Sequence, residues 1–182
     1  TEIPDHKVLP QILVHWKRNK CVVDNRSYSG KYSYSSIITF AFMDQTTHAQ
    51  KVVNHMMEHD RFSQWLGIKC LVMEPGKSVL QMQIREEMLN GFGLIHGGIA
   101  FSLADSALAF ASNAYGRLSV ALECSISYPV PVHNGDIITA TTEELSLTNR
   151  IGVYQITISN QNNIKVAFFK GTVYRTSKEY FK

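Results

Sequence analysis

One stretch, residues 98–114 (GIAFSLADSALAFASNA), constrains this chain more than any other. It is almost continuously apolar at helical length, and a helix that is apolar nearly all round has to be buried. Its small residues, Ala100, Ser102, Ala104, Ser106, Ala107, Ala109 and Ala111, let a sheet approach closely from several sides. No window of about 18 uninterrupted apolar residues exists, which excludes a membrane-spanning helix. The rest of the chain must therefore supply the surface that covers this segment.

The flanking patterns supply it as strands. Residues 68–73 and 79–85 surround a Pro75-Gly76 turn, and in the second run Leu80, Met82 and Ile84 alternate with Gln81 and Gln83, so the pair predicts a hairpin. After the apolar helix come four further runs, 119–128, 137–147, 151–159 and 164–175. They are separated by polar turns at Asn134-Gly135, 148–150 and 160–163, and short connections predict antiparallel neighbours. Ahead of all these, His48 to Trp65 reads as one amphipathic helix with Val52, Val53, Met56, Met57 and Phe62 on its apolar side. The sum is an α+β domain: a curved antiparallel sheet of about six strands around one long central helix, which is the hotdog architecture.

Length and charge narrow the functional classes. With 182 residues, 45% of them apolar, one domain with one sizeable core is expected. Residues 1–43 carry six Lys/Arg against three Asp/Glu, and residues 44–182 carry twelve of each, so the net charge of +3 belongs to the first segment. A neutral body lacks the clustered cations that nucleic-acid binding requires. Residues 1–43 are read as a leader without assigned function, rich in Ser and Tyr over 27–36, with Met43 as a natural start. The short apolar run 37–43 has no small-residue cleavage site, which argues against a secretory signal. Cys21, Cys70 and Cys124 are odd in number and form no CxxC pair, so neither a disulfide framework nor structural zinc is expected. A reducing, cytoplasmic setting fits.

Chemistry concentrates around the central helix. Asp105 is its single charged residue, flanked by Leu103, Ala104, Ala107 and Leu108. Buried carboxylates are paired, hydrogen-bonded or strongly perturbed, and such groups concentrate at functional sites. Just before the helix, residues 91–98 (GFGLIHGG) deliver a glycine-rich loop into its N-terminus. There the first backbone N–H groups have no intrahelical partner and the dipole adds positive potential. Without Cβ atoms at Gly97 and Gly98, a carbonyl can come close to these amides, as acyl transfer requires.

Asn90, then His96-Gly97-Gly98 six residues later, then Asp105 nine residues after His96, resembles the signature of the PaaI-type hotdog thioesterases, the family named for phenylacetate degradation. The likeness covers residues from about 48 to 176 and includes the 150–154 segment and the 167–175 strand. The resemblance implies hydrolysis of acyl-CoA, with aryl-acetyl groups as the associated substrates and no cofactor. It implies Asp105 as general base or nucleophile, and the Gly97 N–H as the donor that polarises the thioester carbonyl. It implies that Asn90 orients the attacking group or water, and that His96 fixes the loop, with contact to the thioester as a second role. It also implies sites across a homodimer interface, with dimers often paired into tetramers. Gly98, Leu122 and Arg150 are the expected substrate contacts, with Lys170 and Arg175 as further cations for the phosphates of coenzyme A. Some related thioesterases hold the water with a Ser or Thr on the strand after the helix; the equivalent here falls near Ala121, leaving the role vacant or met by Ser119 or a second water.

Several rival readings carry less. His55, Glu58 and His59 reproduce H-x-x-E-H, a zinc-protease pattern, but that motif needs a third ligand and a cleft, so no metal is expected. Cys124 falls on the apolar side of an alternating strand with Val120, Leu122 and Ile126 and reads as core filler, as do Phe168 and Phe169. Hotdog dehydratases carry an HFPG-like loop and a helix Glu, unlike His96-Gly97-Gly98 and Asp105. Medium-chain fatty acyl-CoA esters, or a non-catalytic acyl-CoA-binding module on the same fold, remain the alternatives.

Overall fold

In the computed structural model, residues 14–17, 20–23 and 48–181 are described, and the chain divides into two units, Thr1–Phe42 and Met43–Lys182. Within the first unit, β1 (Val14–Lys17) pairs antiparallel with β2 (Lys20–Val23). The Ser- and Tyr-rich run 27–36 and the apolar run 37–43 lie outside the described residues.

The second unit is built on a six-stranded antiparallel sheet. Its strands are β3 (Lys69–Glu74), β4 (Lys77–Gln83), β5 (Arg117–Ser127), β6 (Ile137–Leu147), β7 (Ile151–Asn160) and β8 (Lys165–Glu179), in the spatial order β3-β4-β6-β7-β8-β5. The expected hairpin at Pro75-Gly76 is present, and β6, β7 and β8 are consecutive neighbours. β5 and β6 follow each other in sequence but are not paired. The connection 128–136, with Pro129 and Pro131, carries the chain from one edge of the sheet to its middle, where β6 pairs with β4. That leaves β5 and β3 as the edges.

Helix α3 (Gly97–Asn113) lies against the sheet, burying Ala100, Leu103, Ala104, Ala107, Leu108, Phe110 and Ala111. Facing it are Leu80, Met82, Ile138, Tyr154, Ile156 and Phe169, all fully buried. The approach is close: a Cβ at Gly171 on β8 would lie 2.5 Å from Leu108 Cδ2, so the absence of a side chain there is what lets the helix sit down. Phe110 is 1% exposed. Phe110→Ala should destabilise the domain by about 3–5 kcal/mol, because the hydrogen-bonded sheet packed on the helix can collapse only partly into the cavity. Chemical denaturation measures this, and a change under about 1 kcal/mol would show a core that repacks freely.

The single helix expected over 48–65 is two helices. α1 is described over 48–59 and contributes Ala49, Val52 and Val53 to the core; α2 (Arg61–Leu66) starts afresh after Asp60. Asp60 leaves helical geometry at φ −89°, ψ 85°, and its Oδ1 accepts hydrogen bonds from the Phe62 and Ser63 amides at 3.1 and 2.9 Å. A side-chain N-cap satisfies orphan donors that a continuous helix would not have, so the chain restarts there. Gly67, in the left-handed conformation, ends α2.

Candidate active site

The loop before α3 is held by its own polar groups. Leu89 and Ile95 form an isolated bridge, the His96 amide donates to Met88 O at 2.9 Å, and the Ile95 amide donates to Val132 O at 2.9 Å. Inside this neck Asn90 ties the tip together: its Oδ1 accepts from the Phe92 and Leu94 amides at 2.9 and 3.3 Å. Its Nδ2 reaches Ile95 O at 3.5 Å. Asn90 is therefore first a brace for the loop, with its amide turned along the loop's inner edge.

His96 is the N-cap of α3. Its Nδ1 accepts from the Gly98 amide at 3.0 Å, so Nδ1 is unprotonated and the neutral ring carries its proton on Nε2. The Gly98 N–H is thus occupied, and Gly98 is not the amide that meets a substrate oxygen. The Ile99 amide bonds to His96 O. Among the described residues the Gly97 N–H has no protein acceptor, which leaves it as the free donor at the positive end of α3. Tyr128, at the end of β5, donates its hydroxyl to Gly97 O at 2.9 Å, and its ring carbons stand 3.3 Å from where a Gly97 Cβ would be.

A cleft of ≈ 510 Å³ opens at this point, lined by Asn90, Leu94, Ile95, Gly97, Ala100, Tyr128, residues 129–132, Val166 and Ala167. The lining is mostly apolar, with the Asn90 amide, the Tyr128 hydroxyl and the Gly97 backbone as its polar exceptions. A cleft of this composition binds an apolar group and orients one polar end of it.

Asp105 is elsewhere. It lies eight residues further along α3, about 12 Å from Gly97 at 1.5 Å per residue, and does not line the cleft. The positive end of α3 is therefore too far from Asp105 to hold it ionised within one chain, since the dipole effect falls off within the first turn. Burial, and then the neighbouring Asp60 carboxylate, push Asp105 up from the ordinary aspartate range. It is half-buried, on a strip of α3 with Phe101, Ser102, Ser106 and Ala109 that the core leaves partly open. Its nearest polar neighbour on the sheet is Cys124, whose thiol donates to Asp105 Oδ1 at 4.0 Å.

β5 explains why Cys124, and not the positions expected from spacing, reaches the helix. A register shift between Ala121 and Glu123 reverses which residues face inward: Ser119 is buried before it, and Cys124 and Ile126 pack on the core after it. Val120 and Leu122 are instead 47% and 58% exposed. Ser119 cannot serve Asp105, because its amide and carbonyl are bonded to the Asn113 side chain at the far end of α3. Ala121 is exposed on the edge strand. Leu122 and Arg150 do not line the cleft within one chain. Arg150 sits at the β6–β7 turn, with its guanidinium bonded to the Tyr174 hydroxyl at 3.0 Å. Arg175 there donates to Thr148 O, and Lys170 is exposed on β8. Of the paired phenylalanines, Phe169 is core and Phe168 is 37% exposed.

His55, Glu58 and His59 share one face of α1 with ligand atoms within 4.8 Å of one another, but all three are exposed and none lines the cleft. Spacing could not have found Tyr128 or Asp60, because only the tertiary fold brings them near Gly97 and Asp105 and neither stands in a recognisable pattern.

The geometry has counterparts. The family model described as "Thioesterase superfamily" matches residues 92–167. An Archaeoglobus fulgidus protein carried as a candidate esterase is 36% identical over 72% of this chain and 85% of its own. The Escherichia coli acyl-coenzyme A thioesterase PaaI is 41% identical over 66% of this chain and 86% of its own. The solved structure of E. coli PaaI, from the phenylacetic acid degradation operon, superposes with a TM-score of 0.72, covering 74% of this chain and 98% of that one.

Proposed function

Since the chain belongs to the thioesterase superfamily, with the hotdog fold of its PaaI-type members, we propose that it hydrolyses aryl-acetyl-CoA thioesters to the free acid and coenzyme A. The observation that carries the acyl-transfer chemistry is the pairing of one free helix N-terminal amide, Gly97, with an apolar cleft beside it. As hydroxide character adds to the thioester carbon, negative charge develops on the carbonyl oxygen, and a preorganised N–H stabilises that charge without reorganising. Asp105 supplies the basic oxygen: it either takes a proton from the water that attacks the carbonyl, or attacks the carbonyl itself to form a mixed anhydride that water then hydrolyses to the free acid; the thiolate of coenzyme A leaves and is protonated. Asn90 and His96 hold the loop that aims the Gly97 amide.

About 12 Å along one helix is too far for Gly97 and Asp105 to act on one carbon. The active unit is a homodimer in which the Gly97 amide of one protomer faces Asp105 of the other. Supporting this, β5 is an unpaired edge carrying exposed Val120 and Leu122, and Asp105 lies on the partly open strip of α3 beside it. In such a pair Leu122 and Arg150 can contribute to the opposite protomer's substrate. Mixing inactive Asp105→Asn and Gly97→Pro chains and letting them reassort should restore about a quarter of wild-type sites, because each mixed two-fold dimer keeps one intact site. No recovery, with exchange verified by mass, would place both groups' work within one chain.

The aryl-acetyl preference rests on the apolar cleft and on the likeness to the E. coli PaaI structure, whose gene lies in a phenylacetic acid degradation operon. Coenzyme A release, followed by chromatography, should give kcat/KM at least about tenfold higher for phenylacetyl and hydroxyphenylacetyl than for straight-chain esters. The reverse order would make medium-chain fatty acyl-CoA the substrate class. Among the described residues no helix is long and apolar enough to cross a membrane. Free Cys70 and Cys124 are in keeping with hydrolysis in the reducing cytoplasm.

A further inference from the structure

Outside the Asn90, His96-Gly97-Gly98 and Asp105 pattern, Cys124 reaches the Asp105 carboxylate and Asp60 is tied through Ser63 to Ser106, the residue next to Asp105. We propose that Cys124 and Asp60 are positioning residues for it: the thiol holds one oxygen, while Asp60, clamped to α3 through Ser63 and Ser106, sets a second carboxylate against it. The proposal rests on Asp105 being the base or nucleophile of thioester hydrolysis.

Cys124 points at α3 because of the register shift in β5, and its partner across the ladder, Gly171, has no side chain to hold the helix away. Its Sγ–H donates to Asp105 Oδ1 at 4.0 Å, long but within reach of a large, soft donor. Burial, then the Asp105 carboxylate and Glu123, push the thiol up to about 11, so it stays protonated and able to donate through the neutral range. A hydrogen bond to one oxygen fixes the rotation of the carboxylate and leaves the other oxygen free for water or substrate.

Both carboxylate oxygens of Asp60 are held, and a relay through Ser63 ties it to α3. Its Oδ1 caps α2, its Oδ2 accepts from Ser63 Oγ at 2.6 Å, and Ser63 Oγ shares a 2.9 Å hydrogen bond with Ser106 Oγ, the residue next to Asp105. The break between α1 and α2 thus fixes a negative charge beside the site. Like charge disfavours ionisation and makes Asp105 a stronger base. Among the described residues, Asp60 at the N-cap of α2 and Cys124 from β5 are the titratable groups that bear on Asp105; Glu123 and Arg61, beside them in sequence, are exposed. Ser63 and Ser106 are neutral.

The test is the pH dependence of kcat/KM for the full chain, using phenylacetyl-CoA and coenzyme A release, with folding checked by circular dichroism. Asp60→Asn keeps a good N-cap and removes the charge. It should move the acid limb to lower pH and reduce the plateau kcat by roughly threefold. Cys124→Val removes the donor and adds apolar bulk, so it should move the limb to higher pH and lower kcat by roughly three- to tenfold at unchanged KM. Cys124→Ser, with a stronger donor, should recover kcat with its limb at or below the wild-type position. Limbs that stay put in Asp60→Asn and Cys124→Val, or move in the same direction, overturn the proposal while Asp105→Asn remains inactive. Wild-type turnover by Asp105→Asn would instead bring down the base assignment and this proposal together.

Discussion

Asp105→Asn should fold, dimerise and lose hydrolysis, with kcat falling by roughly 10²–10⁴, the range over which a positioned base accelerates such a step. The amide is nearly the same size, so packing against Cys124 is retained, and what disappears is the basic oxygen. Stability should move the other way. Burial and Asp60 raise the carboxyl of the folded chain above its unfolded value, so ionising it disfavours the fold. That penalty is absent below the unfolded aspartate value near 3.9, grows as pH rises from there to the raised folded value, and is constant above it. Asp105→Asn should therefore be the more stable protein at pH 7, and the difference should vanish in acid. A variant with near-wild-type kcat, or one that is less stable at pH 7 and equally so at low pH, would contradict the assignment of Asp105 as a strained functional group.

Gly97→Pro is the second large effect, with kcat reduced by roughly 10²–10³, the loss seen when one oxyanion donor is removed. Position 97 is the first residue of α3, where proline is well tolerated because the missing N–H has no intrahelical partner. The preceding residue, His96, is already extended at φ −65° and ψ 131°, as a residue before proline must be. The fold should therefore survive while the free donor is deleted. Gly97→Ala is the control: it places a Cβ at the same 3.3 Å from the Tyr128 ring, which is 48% exposed and able to give way, but it keeps the N–H. Equal losses in the alanine and proline variants would mean that crowding, and not the amide, is responsible.

Much of this architecture is legible along the chain because its causes are local. The apolar run at 98–114, the turn at Pro75-Gly76 and the alternation in β4 and β6–β8 each depend on neighbours within a few residues, and each element appears within two or three residues of its expected start. The end of β8 departs further, running on to Glu179, because pairing with β5 continues to Arg117. The restart at Asp60 was not legible: heptad-like spacing runs through it, and only the capping bonds and the tie to Ser106 show why one helix becomes two.

The sequence by itself determined which groups could do chemistry: a glycine-rich entry to a helix, and one carboxylate in an apolar segment. These are consequences of residue type and short spacing, which a linear pattern preserves. Only the tertiary structure decided how they are divided. It put Gly97 and Asp105 about 12 Å apart on one helix, handed the Gly98 amide to His96, left the Gly97 amide free, and turned Cys124 toward Asp105 through a register shift in an edge strand. Those outcomes depend on which strand lies at the edge and which donors and acceptors the fold brings together in space, and no spacing in the chain records either.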